Sequence, residues 1–121
     1  MRYMLLIYQN EKIREGMSDQ ERAAIFKEYG EFTQSIRQSG ALLAGDPLQP
    51  TSTATTVRGK NGRPITTDGP FAETKEQLGG YYMVEAKNLD EAIAMAARIP
   101  SVRLGGSIEV RPIMEIGPPP K

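Results

Sequence analysis

The chain has 121 residues, with 15 basic and 15 acidic side chains, no cysteine and no histidine. That length fits one domain, and the balanced charge lacks the positive excess of a nucleic-acid footprint. Without cysteine there are no disulfides, thiolate metal sites or thiol nucleophiles; without histidine, Ser-His-Asp triads, Cys-His dyads and imidazole-bound zinc or iron are excluded.

Residues 2–8 are nearly continuously apolar and predict a strand covered on both faces. The run is too short for a signal peptide and lacks a small-residue cleavage site. No stretch approaches the roughly 20 apolar residues of a membrane span. A cytoplasmic location is the default expectation. Residues 9–17 are polar and read as a loop. Ser18 and Glu21 fit a capping box, and the helix they open carries Ile25, Tyr29, Phe32 and Ile36 as one apolar stripe. Gly30 interrupts that helix at about 1 kcal/mol relative to alanine, which a close contact would explain. Ser39-Gly40 ends it.

Residues 41–45 read as a short strand stopped by Asp46-Pro47. Asn61-Gly62, between residues 53–60 and 63–67, predicts a type I′ hairpin projecting from the sheet, and Pro64 argues for an edge position. Residues 80–86 predict a strand. Asn88 caps a second helix whose Leu89, Ile93, Ala96 and Ala97 form its apolar face, and residues 107–113 alternate as the last strand. Residues 1–114 read as a single domain and residues 115–121 as an extended proline-rich tail. Strand–helix–strand, hairpin, strand–helix–strand is the pattern of an α+β, ferredoxin-like sheet with both helices on one face. The opposite face would be apolar and uncovered in a monomer, so a homodimer is expected, with the two sheets facing each other.

The densest run of special residues is 66–80. Asp68-Gly69-Pro70 is turn chemistry. Glu73, Lys75 and Glu76 fall within about one helical turn if that segment is helical, with Gly79-Gly80 stopping it. Asp68 and Glu76 are the candidate acid–base residues, since a carboxylate of raised pKa can stand in for histidine. Asp68, Glu73, Lys75, Tyr82 and Arg111 are the candidate ligand-binding set. Each also has a plain structural reading: Asp68 as a turn-former, the charged segment as solvated Glu–Lys pairs, Arg111 as the ion-pair partner of Glu109, Asp68 or Glu73. Tyr81 and Tyr82 lie on opposite faces of their strand, so one belongs to the core. The available oxygen donors suit Mg²⁺ or Ca²⁺ rather than zinc or copper, and no metal or other cofactor is expected.

Asp68-Gly69-Pro70-Phe71 with Ala72-Glu73-Thr74-Lys75-Glu76 and Gly79-Gly80 resembles the signature of the DGPF family, a branch of the YCII-related proteins. Residues 108–113, Ile-Glu-Val-Arg-Pro-Ile, match that family's second signature, and the resemblance runs from Tyr3 to about Met114. It implies a dimeric ferredoxin-like α+β barrel, the fold of muconolactone isomerase-type enzymes. It also implies a regulatory context, because family members are associated with extracytoplasmic-function sigma factors. Some YCII-related proteins pair a histidine with an acidic residue; that chemistry does not carry over to a chain without histidine. Three functions remain open on the residues: a dimeric small-molecule binding or sensing protein, a histidine-independent isomerase- or lyase-like enzyme on a small polar metabolite, and a structural dimer without ligand.

Overall fold

In β1 (Arg2–Gln9), Tyr3, Leu5 and Ile7 are buried while Met4, Leu6 and Tyr8 are only half-buried. The computed structural model that shows this describes residues 1–117. β1 lies between β5 (Gln77–Glu85) and β6 (Ser107–Pro112), and β2 (Leu42–Pro47) closes the other edge, giving the order β2-β5-β1-β6. Every neighbouring pair is antiparallel. Leu5 stands opposite Tyr82 and Val110, so all three point to one face.

That face is covered by α2 (Asp19–Gln38) and α3 (Leu89–Ala97). Phe32 and Ile36 of α2 and Ala92, Met95 and Ala96 of α3 join Tyr3, Leu5, Ile7, Tyr82 and Val84 in a single core. Each large apolar side chain buried there contributes roughly 1.5–3 kcal/mol. The architecture is α+β with an antiparallel sheet, compatible with a ferredoxin-like fold.

Both long helices start as their sequences require. The Ser18 hydroxyl accepts from the Glu21 amide at 3.1 Å and Glu21 reaches back to the Ser18 amide, completing the capping box. The Asn88 side chain accepts from the Glu91 amide at 2.9 Å. The buried stripe of α3 differs from the expected one. It runs through Ala92, Met95 and Ala96, while Leu89 and Ile93 are each 48% exposed. Small side chains let the helix lie close to the sheet, so residue size alone did not mark the inner face.

Other boundaries also shift. The polar stretch read as a loop contains α1 (Glu11–Glu15). β2 continues through Asp46 to Pro47, which a sheet-edge strand tolerates. The hairpin strands β3 (Thr55–Lys60) and β4 (Arg63–Asp68) pair only with each other, around Asn61 at φ 52° and Gly62 at φ 77°. A single 3-10 turn (Thr51–Thr53) precedes them. The segment 73–76 is not helical, and Gly79-Gly80 lie inside β5 rather than at a helix end. Residues 74–77 instead make a bend, the Thr74 hydroxyl donating to the Glu76 carbonyl at 2.6 Å and the Gln77 side chain to the Thr74 carbonyl at 2.5 Å, and Gln77 already belongs to the sheet. Glu115, the first residue of the expected tail, bonds the Arg2 guanidinium at 2.9 Å through both oxygens. The tail residues 118–121 lie outside the described residues.

Candidate ligand-binding cavity

A cavity of about 870 Å³ opens between α2 and the helix-covered face of the sheet. Its strand side is formed by Ile7, Gly45, Gly80 and Tyr82, and its helix side by Ile25, Tyr29 and Thr33. Ser101 and Gly106, from the turn before β6, close one end, and Ile13 and Arg14 of α1 lie across another. Gly45 keeps the cavity's strand wall low: a Cβ there would meet the Tyr82 ring at 2.6 Å. The ring is held edge-on against Phe32, centroids 5.3 Å apart, so it has no free direction in which to yield.

α1 is five residues long, too short to be stable alone. It is tied down at both ends. The Glu11 carboxylate accepts from the Thr51 amide at 2.9 Å and the Thr51 hydroxyl at 2.8 Å, while the Glu11 amide donates to Gln77 Oε1. At the other end the Arg22 guanidinium donates to the carbonyls of Glu15 and of Arg14, the latter also accepting from the Met17 amide at 3.1 Å.

Hydroxyls from Tyr29, Thr33, Tyr82 and Ser101 are among the polar groups of the lining. Tyr82 and Thr33 share a hydrogen bond of 2.7 Å. Tyr29 lies beside Ser101 without completing a hydrogen bond to it, and Ser101 Oγ, in a residue only 1% exposed, has no protein partner among the described residues. Burial pushes the Tyr29 phenol above its ordinary pKa, an effect that Ser101 and the Arg14 guanidinium partly offset. Burial likewise raises Tyr82, against the hydrogen bond from Thr33.

Charge around the cavity is asymmetric. Arg14, Arg22, Arg37 and Lys75 line it against Asp46 and Glu76. Among the described residues none of these four cations forms an ion pair with a carboxylate. Asp46 instead accepts from the Tyr81 hydroxyl at 2.9 Å, which raises the Tyr81 phenol.

Of the residues singled out in the sequence, Tyr82, Lys75 and Glu76 come together at this cavity. Tyr82 is buried, Glu76 half-buried and Lys75 exposed. Asp68, Glu73 and Arg111 do not line it. Asp68 ends β4 opposite Thr55, and the turn after it folds back through Gly69 N–H to the Ala54 carbonyl at 2.7 Å and the Arg58 guanidinium to the Phe71 carbonyl at 2.6 Å. Glu73 is exposed. Arg111 pairs with Glu109 of its own strand, on the sheet face opposite the cavity. Within this chain the expected single polar site therefore separates into a cavity group and a group outside it. Arg14, Tyr29, Thr33 and Ser101 were not singled out as site residues. Tyr29 carried the one usable signal, a phenol inside an apolar stripe, because a buried Tyr hydroxyl needs a partner.

An antiparallel α+β layer with a hydroxyl-bearing cavity under its long helix defines a small α+β protein with room for a ligand. The chain belongs to the YCII-related domain family, which matches residues 1–117. It is also 36% identical over 114 residues to a protein of Rhizobium meliloti (strain 1021) described as uncharacterized; the match covers 93% of this chain and 92% of that protein.

Proposed function

We propose that the chain is a small-molecule binding or sensing protein that acts as a homodimer, with the cavity between α2 and the sheet as its site. The observation that carries this reading is a space of about 870 Å³ whose lining sets the hydroxyl residues Tyr29, Thr33, Tyr82 and Ser101 among apolar side chains. Ligand pockets typically have a volume of about 300–1,000 Å³, apolar walls and a few convergent polar groups. Lys75 and Glu76 belong to the rim of this site, as does Tyr82 to its wall. Binding is favoured over catalysis because neither lining carboxylate holds a nucleophile at close range: Asp46 accepts from the Tyr81 phenol, and Glu76 lies 3.4 Å from the Ser107 hydroxyl, beyond the roughly 2.6–3.2 Å of an activated pair. The sigma-factor context that the sequence resemblance implies also suits sensing.

The dimer reading rests on the uncovered sheet face. Met4, Leu6 and Met83 line it with no helix above them, beside the Glu109–Arg111 pair. A second copy laid on this face would complete the α+β barrel and bring Arg111 toward the partner's surface.

The test of the site is a stability screen of small polar compounds, followed by mapping of each stabilising compound in ¹⁵N–¹H spectra. A compound at 100 times its Kd should add about 2.7 kcal/mol of stability. Its shifts should centre on Tyr29, Thr33, Tyr82 and Ser101. Stabilising compounds whose shifts centre on the hairpin or on Arg111 would overturn the assignment.

A further inference from the structure

We infer that the ligand class of this cavity is a small organic acid, its carboxylate taken by Arg14 with the Tyr29 and Ser101 hydroxyls and its apolar body lying against Ile7 and Ile25. The inference rests on the proposed binding role and narrows it. Three observations carry it. First, the rim is cationic, four basic side chains to two acidic, and none of the four is neutralised by an ion pair among the described residues. Arg22 is occupied with the carbonyls of α1 and Arg37 with Gln34, whereas Arg14 and Lys75 have no side-chain hydrogen bond among the described residues, and of these two it is Arg14 whose charge is felt by the Tyr29 phenol. A guanidinium is the side chain best matched to a carboxylate.

Second, Ser101 Oγ is a buried donor without a protein partner. Such a group is costly unless something completes it. The Oγ itself is closed off in this structure, so a turn about the Ser101 Cα–Cβ bond is the step that would bring it beside the Tyr29 hydroxyl to meet the oxygens of an acid. Third, the walls between these groups are apolar, Ile7 on the strand and Ile25 on the helix. A bare inorganic anion would leave that surface without a partner, so the acid must carry an apolar body.

The test titrates the ¹⁵N-labelled full chain with sodium benzoate, benzamide and phenyl phosphate in parallel. Benzoate should give saturable shifts at Tyr29, Thr33 and Ser101, with benzamide at least about tenfold weaker, since a charge-assisted pair is worth about 1.5–3 kcal/mol and 1.4 kcal/mol is tenfold. Arg14→Gln should weaken benzoate about tenfold and leave benzamide unchanged. Arg63→Gln, at the hairpin tip, should change neither. Ser101→Ala should weaken benzoate several-fold without lowering the unfolding temperature, a combination that a purely structural serine would not give. Equal affinity for benzoate and benzamide, or an unchanged Arg14→Gln titration, would overturn the acid assignment while leaving the cavity as a site. Tighter binding of phenyl phosphate would overturn the carboxylate in favour of a phosphate. If no probe gives saturable shifts at the cavity and the neutral compounds of the screen also fail there, the binding role itself falls.

Discussion

A Cβ built on Gly45 would lie 2.6 Å from the Tyr82 ring, whereas one built on Gly30 meets nothing within 4 Å. The two glycines therefore predict opposite outcomes in urea unfolding. Gly45→Ala should cost about 1–3 kcal/mol through overpacking against a ring already seated on Phe32. Gly30→Ala should add about 0.5–1 kcal/mol, because the helix gains propensity and no neighbour is displaced. The close contact that would have explained Gly30 from the sequence is absent. The phenols add a pH dependence. Burial holds Tyr29 and Tyr82 above the ordinary phenol value of 10.0. The folded state then keeps protons that the unfolded chain releases, so stability present below pH 10 is lost as pH rises past it. The urea midpoint should fall as pH rises past about 10, and Tyr29→Phe should flatten that fall; an unflattened fall would mean that Tyr29 is solvated.

Among the elements, those with an apolar period and a cap were legible. α2 and α3 start at Ser18 and Asn88 as their side chains dictate, and Asn61-Gly62 makes the hairpin. What was not legible depends on distant partners. α1 has no apolar stripe; it exists because Thr51 and Gln77 hold Glu11 and because Arg22 holds its last carbonyls. Glu11→Ala should accordingly lower the local opening free energy of residues 11–15 by about 1–2 kcal/mol, accelerating their amide exchange roughly 5- to 30-fold. Exchange in α3 should not change. Equal acceleration in both helices would show that α1 is not an independently tethered strap. The charged run 73–76 failed in the other direction: its helical spacing was real, but the Thr74 hydroxyl donates to the Glu76 carbonyl and the Gln77 side chain to the Thr74 carbonyl, a bend that leads straight into β5.

At the scale of the whole molecule, the apolar run of residues 4–7 was enough to place β1 centrally, and the alternation of elements to place both long helices on one face. The cavity was much less legible, because it is assembled from α1, α2, β2 and the turn before β6, segments that no local pattern connects. A second copy on the open sheet face predicts a solution mass of twice the 13.3 kDa chain by light scattering at micromolar concentration. A species at the chain mass alone would contradict the dimer and leave the cavity untouched. The cavity is tested most directly by a crystal structure of the full chain grown with the tightest-binding compound of the screen. The result expected is density for that compound between α2 and the sheet, with a polar atom within hydrogen-bond distance of Ser101 Oγ or the Tyr29 hydroxyl. Density instead beside Asp68 and Glu73, or against Arg111 on the opposite sheet face, would contradict the account.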